Sequence, residues 1–260
     1  MNFLDLCILI FQIVVLLIIL VRSIMVMLHH ERPVTMIFFV FAIVGYLLSN
    51  TYWLAYELLY PQVRMPFAAN EIGEWAVFLS LGASLSARIK KISAPVIKEL
   101  IGTSIFVVAN VCLWIGWSGE WIQDIITGLV LIYFYTNLVR FMKQSEILSN
   151  GMWIGLACIC VIIIAANAAG FFVPKDLVGL YDTIAYIMLF IVMAYFLIRT
   201  VISFVDTKKN DIFISFSYAS IGWAVIFLYM SSEIVYNIVS FLTILSFFLA
   251  HMAHEKEVRA

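Results

Sequence analysis

The sequence predicts an all-α, polytopic membrane helical bundle of about nine transmembrane helices, with the N-terminus outside and the C-terminus cytoplasmic. Three observations predict it. Of 260 residues, 65% are hydrophobic and 12% charged, against about 45–50% and about 25% in soluble domains. Uncharged apolar runs at 6–21, 153–173 and 183–198 approach the roughly 20 residues that cross about 30 Å of hydrocarbon. The lysines and arginines fall on alternate loops. No period-2 alternation of apolar residues is present, which argues against a β-barrel. The loops are too short to hold a soluble catalytic domain, so residues 1–260 read as one integral membrane domain.

The first helix, 3–28, lacks a basic stretch before it and a small-residue cleavage site after it, so it reads as a retained span and not a signal peptide. Arg22 and HHER (29–32) hold its far end in the cytoplasm. Pro33 opens the second helix, 34–59. Pro61 and Pro66 separate it from the third, 67–88, and Pro95 precedes the fourth, 97–117. The turn-like WSGEW (117–121) leads to the fifth, 121–143. SNG (149–151) opens the sixth, 151–172, and Pro174 precedes the seventh, 179–203. The eighth and ninth, 211–230 and 233–253, are split at SSE (231–233), the weakest break. All five prolines fall between spans, where a missing N–H does no harm.

RIKK (88–91) with Lys98, Arg140 with Lys143, and Arg199 with Lys208 and Lys209 mark three cytoplasmic loops by the positive-inside rule. Alternation then places every Lys and Arg inside except Arg64 and Lys175. Asp5, Glu57, Glu71, Glu74, Glu120, Asp124, Asp176, Asp182 and Glu233 fall outside. Eight spans would put the tail HEKEVRA outside, so the charge split favours nine. The expected location is a plasma membrane of bacterial type.

The polar residues inside this oil carry the functional expectations. On the third helix Ala69, Gly73, Ala76, Ser80, Ala83 and Ala87 share one face. Trp75, Phe78, Leu79 and Leu85 occupy the other. A stripe of small residues lets a second helix approach closely, so this helix is expected inside the bundle. Asn70 lies beside the stripe and Glu74 one turn below it, on the flank, while Glu71 points away. Asn50, Asn70, Asn110, Asn167 and Asn237 all fall in the outer half, with Glu57 outward of Asn50. An unpartnered amide in hydrocarbon is costly, and intramembrane ionisable groups face the bundle interior. Together these residues predict a ligand-binding polar vestibule bordered by Glu57, Glu74 and the five amides. Taken singly, each also fits a plainer role, as a cross-helix hydrogen bond or an acid complementing a helix dipole. Trp53, Trp75, Trp114, Trp117 and Trp121 read as an interfacial belt or as an aromatic wall for a cation.

His29, His30, His251 and His254 lie at the cytoplasmic ends of the first and last helices. If those helices touch, four imidazoles could meet a metal ion; capping of helix ends is the plainer reading, and no metal is assigned. Cys7, Cys112, Cys158 and Cys160 sit in apolar runs as packing residues and imply no disulfide framework. GMWIG (151–155) is a G-x-x-x-G, a close helix contact within the bundle or across a dimer.

No P-loop, nucleotide-binding glycine turn, nucleophile elbow or basic aromatic stripe is present, so no cofactor and no nucleic-acid partner are expected. Three readings stay open. The first is a small-solute transporter or permease component taking a small polar or cationic solute. The second is a sensor or partner subunit signalling to a membrane or cytoplasmic protein. The third is an intramembrane enzyme on a lipid-type substrate. In all three the bilayer is the first partner.

Overall fold

A computed structural model describes residues 3–29, 33–60, 69–89, 97–119, 121–205, 210–228 and 233–259. Its nine α-helices among these residues are α1 (Phe3–His29), α2 (Val34–Leu59), α3 (Ala69–Arg88), α4 (Ile97–Ser118), α5 (Trp121–Gln144), α6 (Asn150–Ala169), α7 (Val178–Val205), α8 (Asn210–Leu228) and α9 (Glu233–Arg259); a 3-10 turn, Gly170–Phe172, closes α6. Among the described residues, seven helices are long and apolar enough to cross a membrane: all but α3 and α8.

The punctuation acts where the sequence places it. Pro33 caps α2 in extended conformation. Gly119 takes a positive φ of 73° and its N–H closes α4 onto the Ile115 carbonyl, which only glycine does at no steric cost. At the end of α5 no glycine is available. Glu146 enters the left-handed region at φ 49°, Glu146 N–H bonds Lys143 O, and Ile147 N–H bonds Met142 O. That is a Schellman closure made with a glutamate, held by burial of Ile147.

Six helices close a ring. α1 packs on α2, α2 on α3, α3 on α5, α5 on α8, α8 on α9, and α9 back on α1. α4 packs on the outside of α5 and carries α6, while α7 packs against α8 and α9. Because α8 packs against α9, the two are separate helices; the expected break at SSE lies partly outside the described residues, which exclude 231 and 232.

α2 and α3 meet backbone to backbone. A Cβ added to Gly45 would sit 2.9 Å from the Gly73 carbonyl oxygen, and one added to Gly73 would sit 2.8 Å from the Gly45 oxygen. Ala76 meets the same point. So the N-terminal half of the small stripe is the α2 contact, where backbone approach replaces the hydrophobic drive that lipid cannot supply. Part of the opposite face of α3 packs on α5, while Ile72 and Leu79 stay exposed. Phe78 packs edge-on to Phe134 of α5 at 5.3 Å, Trp75 Nε1 donates to Thr127 Oγ1 at 2.9 Å, and Gly82 lies under the Tyr133 ring.

α8 is the most enclosed helix. Every residue from 213 to 224 is buried, including Ser215, Ser217, Tyr218 and Ser220. Ser217 bonds back to the Phe213 carbonyl of its own helix and Ser215 Oγ makes no hydrogen bond among the described residues, while other polar groups tie α8 sideways. Ser246 donates to Ser220, Tyr135 donates to the Gly222 carbonyl, and Trp223 Nε1 donates to the Leu189 carbonyl. α6 is the opposite case. Gly151 and Gly155 have nothing within 4 Å of an added Cβ, so the G-x-x-x-G makes no close contact within the bundle.

α9 runs one and a half turns beyond the expected end at 253. The tail HEKEVR continues the helix because its acids find partners on other helices: Arg22 of α1 pairs with Glu255 at 3.2 Å, and Arg88 of α3 pairs with Glu257.

Candidate functional site

Two polar clusters lie within the ring, one toward each end of α3. The first gathers residues the sequence singles out. The α2–α3 register, with Gly45 against Gly73 and Ala76, and Ser49 against Gly73, sets Tyr46 level with Glu74 and Asn50 level with Asn70. The Tyr46 hydroxyl lies beside the Asn50 side chain. Asn50 is only 3% exposed, and its Nδ2 makes no hydrogen bond among the described residues. Asn70 Oδ1 is buried and also without a partner among the described residues. Glu74 makes no hydrogen bond or ion pair among the described residues; the nearest charge acting on it is Glu71, of the same sign. From α9 comes Tyr236, close enough, like Tyr46, for the Glu74 charge to act on it. Trp53 lies edge-on to Tyr236 at 5.0 Å.

The remaining amides lie elsewhere at similar depth. Asn237 Nδ2 donates to Asp5 Oδ1 at 2.7 Å, tying α9 to α1. Asn167 Nδ2 donates to Asn110 Oδ1 at 3.4 Å, and Asn110 Nδ2 turns back to the Phe106 carbonyl. That pair joins α4 to α6, with α5 standing between it and α3. Glu57 is half-buried on the last turns of α2. Asp124 is buried and accepts from Ser118 at 2.8 Å, and Glu71 accepts from Gln123 at 3.4 Å. Asn50, Asn70 and Glu74 therefore form one group, Asn237 lies beside it on α9, and Asn110 with Asn167 form another.

The second cluster, at the other end of α3, centres on His254. Its side chain is fully buried and its ring stacks on Phe39 at 4.7 Å. Arg88 Nη2 lies 3.3 Å from its Nδ1, Tyr218 Oη lies 2.8 Å from its Nε2, Ser84 Oγ lies 3.1 Å from Tyr218 Oη, and Ser84 donates to the Thr35 carbonyl at 3.0 Å. The direction of every bond follows from the two ends. A carbonyl only accepts and a guanidinium only donates. Ser84 gives its single hydrogen to Thr35, so Tyr218 donates to Ser84. His254 then donates from Nε2 to Tyr218 and accepts at Nδ1 from Arg88. Glu257 is 3.9 Å from Nδ1, too far for a hydrogen bond, and pairs instead with Arg88. Arg88 also faces Asp211 of α8 at 3.6 Å. One chain of bonds thus links α2, α3, α8 and α9.

His251, one turn away, meets Ser23 of α1 at 2.9 Å and Glu255 at 3.5 Å. His29 is exposed and bonded to the carbonyl of Met25 in its own helix; His30 lies outside the described residues. Helices α1 and α9 do touch, yet each described histidine has its own local partners. Among the described residues no three His, Cys, Asp or Glu side chains gather as a metal site. The sequence marked His254 but not Tyr218, Ser84 or Arg88. The signal that could have found Tyr218 is the uncharged FISFSYAS (213–220) of α8, unusual in a helix that must be hidden from lipid.

The tryptophans divide. Trp117 and Trp121 are exposed, as a belt requires, whereas Trp114 is buried and Trp53 and Trp75 have specific partners. No protein-family model, curated protein or solved structure gives a significant match to the chain; its apolar helices make it an integral, multi-pass membrane protein.

Proposed function

We propose that the protein is a small-solute transporter or permease component, with Glu74, Asn50 and Asn70 as the solute-binding group on the outer side. The observation that carries this reading is the pairing of a carboxylate that has no cation partner among the described residues with two buried amide atoms that have no hydrogen-bond partner. Such groups cost several kcal/mol to hold in a medium of low dielectric, and a bound solute that satisfies them offsets that cost. Positive-inside orientation puts the group on the acidic face, which attracts cations and polar solutes and repels anions. Asn110, Asn167 and Asn237, each satisfied by a neighbour, serve as helix ties and not as binding groups. Glu57 stands at the entrance.

The test is uptake into proteoliposomes of a panel of labelled cationic and neutral polar solutes. Glu74→Gln is expected to abolish uptake of the accepted solute while insertion and monodispersity stay normal. Undiminished uptake by both Glu74→Gln and Asn50→Leu would overturn the proposal.

A further inference from the structure

The unpartnered atoms also specify a ligand. We propose that the Glu74 group binds a small primary ammonium that carries its own neutral oxygen acceptor, of the amino-alcohol class. The inference rests on reading Glu74 as a binding group, not on transport itself.

Three demands narrow the class. The Glu74 side chain has no cation partner among the described residues, and its neighbour Glu71 has the same sign; a cationic ligand is the partner that lets it ionise. Asn70 Oδ1, a buried acceptor without a donor, needs an N–H or O–H. Asn50 Nδ2, a donor in a side chain 3% exposed, needs an oxygen. A bare metal cation would satisfy Glu74 and Asn70 but would set a positive charge against the Asn50 N–H. A tetraalkylammonium without a hydroxyl brings no donor for Asn70. A zwitterionic amino acid brings a second carboxylate beside Glu74 and Glu71. An ammonium with a neutral hydroxyl meets all three demands.

Size and surroundings agree. Glu74 lies four residues from Asn70, and Tyr46 four from Asn50, so the carboxylate and amide levels are separated by about 6 Å along the helices. An amino alcohol of two or three carbons spans this with a hydrogen bond at each end. Tyr46, Tyr236 and Trp53 supply aromatic rings around the same point, the surroundings in which ammonium groups are held.

The experiment is thermal unfolding of the purified full chain with ethanolamine or 3-amino-1-propanol. Potassium, tetramethylammonium and ethylene glycol serve as comparisons at matched ionic strength and pH. A saturable rise in Tm is expected with the amino alcohols alone, with apparent affinity at least tenfold weaker in Asn50→Leu and the rise lost in Glu74→Gln. An equal rise with potassium or tetramethylammonium, or no rise with either amino alcohol, would overturn the ligand class; both are read on the unaltered protein, so a variant that fails to fold decides nothing by itself. Amino-alcohol binding without uptake into vesicles would sink the transport reading and leave the ligand class standing. Glu74-dependent uptake of a solute without an amine would do the reverse.

Discussion

Removing one oxygen from the His254 chain tests its bond directions. Tyr218 is fully buried, and its hydroxyl accepts from His254 Nε2 and donates to Ser84. Tyr218→Phe leaves Ser84 still bonded to the Thr35 carbonyl but strands the His254 N–H in a dry interior. An orphaned buried donor costs about 1–3 kcal/mol, a fall in Tm of about 2–12 °C at the usual 2–4 °C per kcal/mol for chains near this size. His254→Phe removes that donor and keeps the ring against Phe39. In the double variant that imidazole N–H is gone, and the only group that has lost its acceptor is the Arg88 N–H that faced Nδ1, as in His254→Phe alone. The double variant is therefore expected to lose less than the two single variants together, by about 0.5–3 kcal/mol. The assay is reversible or scan-rate-controlled unfolding of the four proteins in one detergent. Additive losses would refute the bond directions, because they would mean that Tyr218 does not serve the histidine.

Gly73→Leu and Gly45→Val force side chains into the opposing backbone at 2.8–2.9 Å and are expected to cost at least the about 1–3 kcal/mol of overpacking, read as lost monodispersity on size-exclusion chromatography. Asn167→Leu removes one 3.4 Å bond while Asn110 keeps the Phe106 carbonyl, so a loss near 0.6 kcal/mol is expected, seen as a Tm change of a few degrees at most. Gly155→Leu meets nothing in the chain and is expected to leave the Tm of the monomer unchanged. Glu146→Gly relieves a left-handed glutamate that costs about 1–2 kcal/mol; after glycine's added chain entropy, a gain of about 0.5–1 kcal/mol is expected in the same unfolding assay.

The helix limits were legible because proline and glycine act locally: Pro33, Gly119 and the SNG turn stand within a residue or two of the observed ends. The end of α9 was not, since what keeps HEKEVR helical is Arg22 and Arg88, contributed by helices far away in sequence. The polar group at Glu74 was readable from the i, i+4 step of Asn70 and Glu74 beside a small stripe. Depth along the membrane normal follows from counting residues, so all the outer amides were placed at one level. Position around the bundle does not follow from counting, and that is where Asn110 and Asn167 part from Glu74, on the far side of α5. Tyr46 and Tyr236 stayed hidden because a tyrosine in a membrane helix looks the same at an interface and at a site. The His254 chain joins four helices through side chains that are individually ordinary.

The sandwiching of α3 has a consequence for how the protein is made. With Asn70, Glu71, Glu74 and Arg88 in twenty residues, α3 is not among the helices apolar enough to enter a bilayer alone. Charged residues each add a few kcal/mol to the cost of insertion at mid-helix. Its Gly45–Gly73 seam with α2 forms between neighbours in the chain, before α5 is synthesised. Insertion of α3 is thus coupled to α2 as a hairpin. A chain stopped after Arg88 leaves Trp75 and Phe78 without their α5 partners.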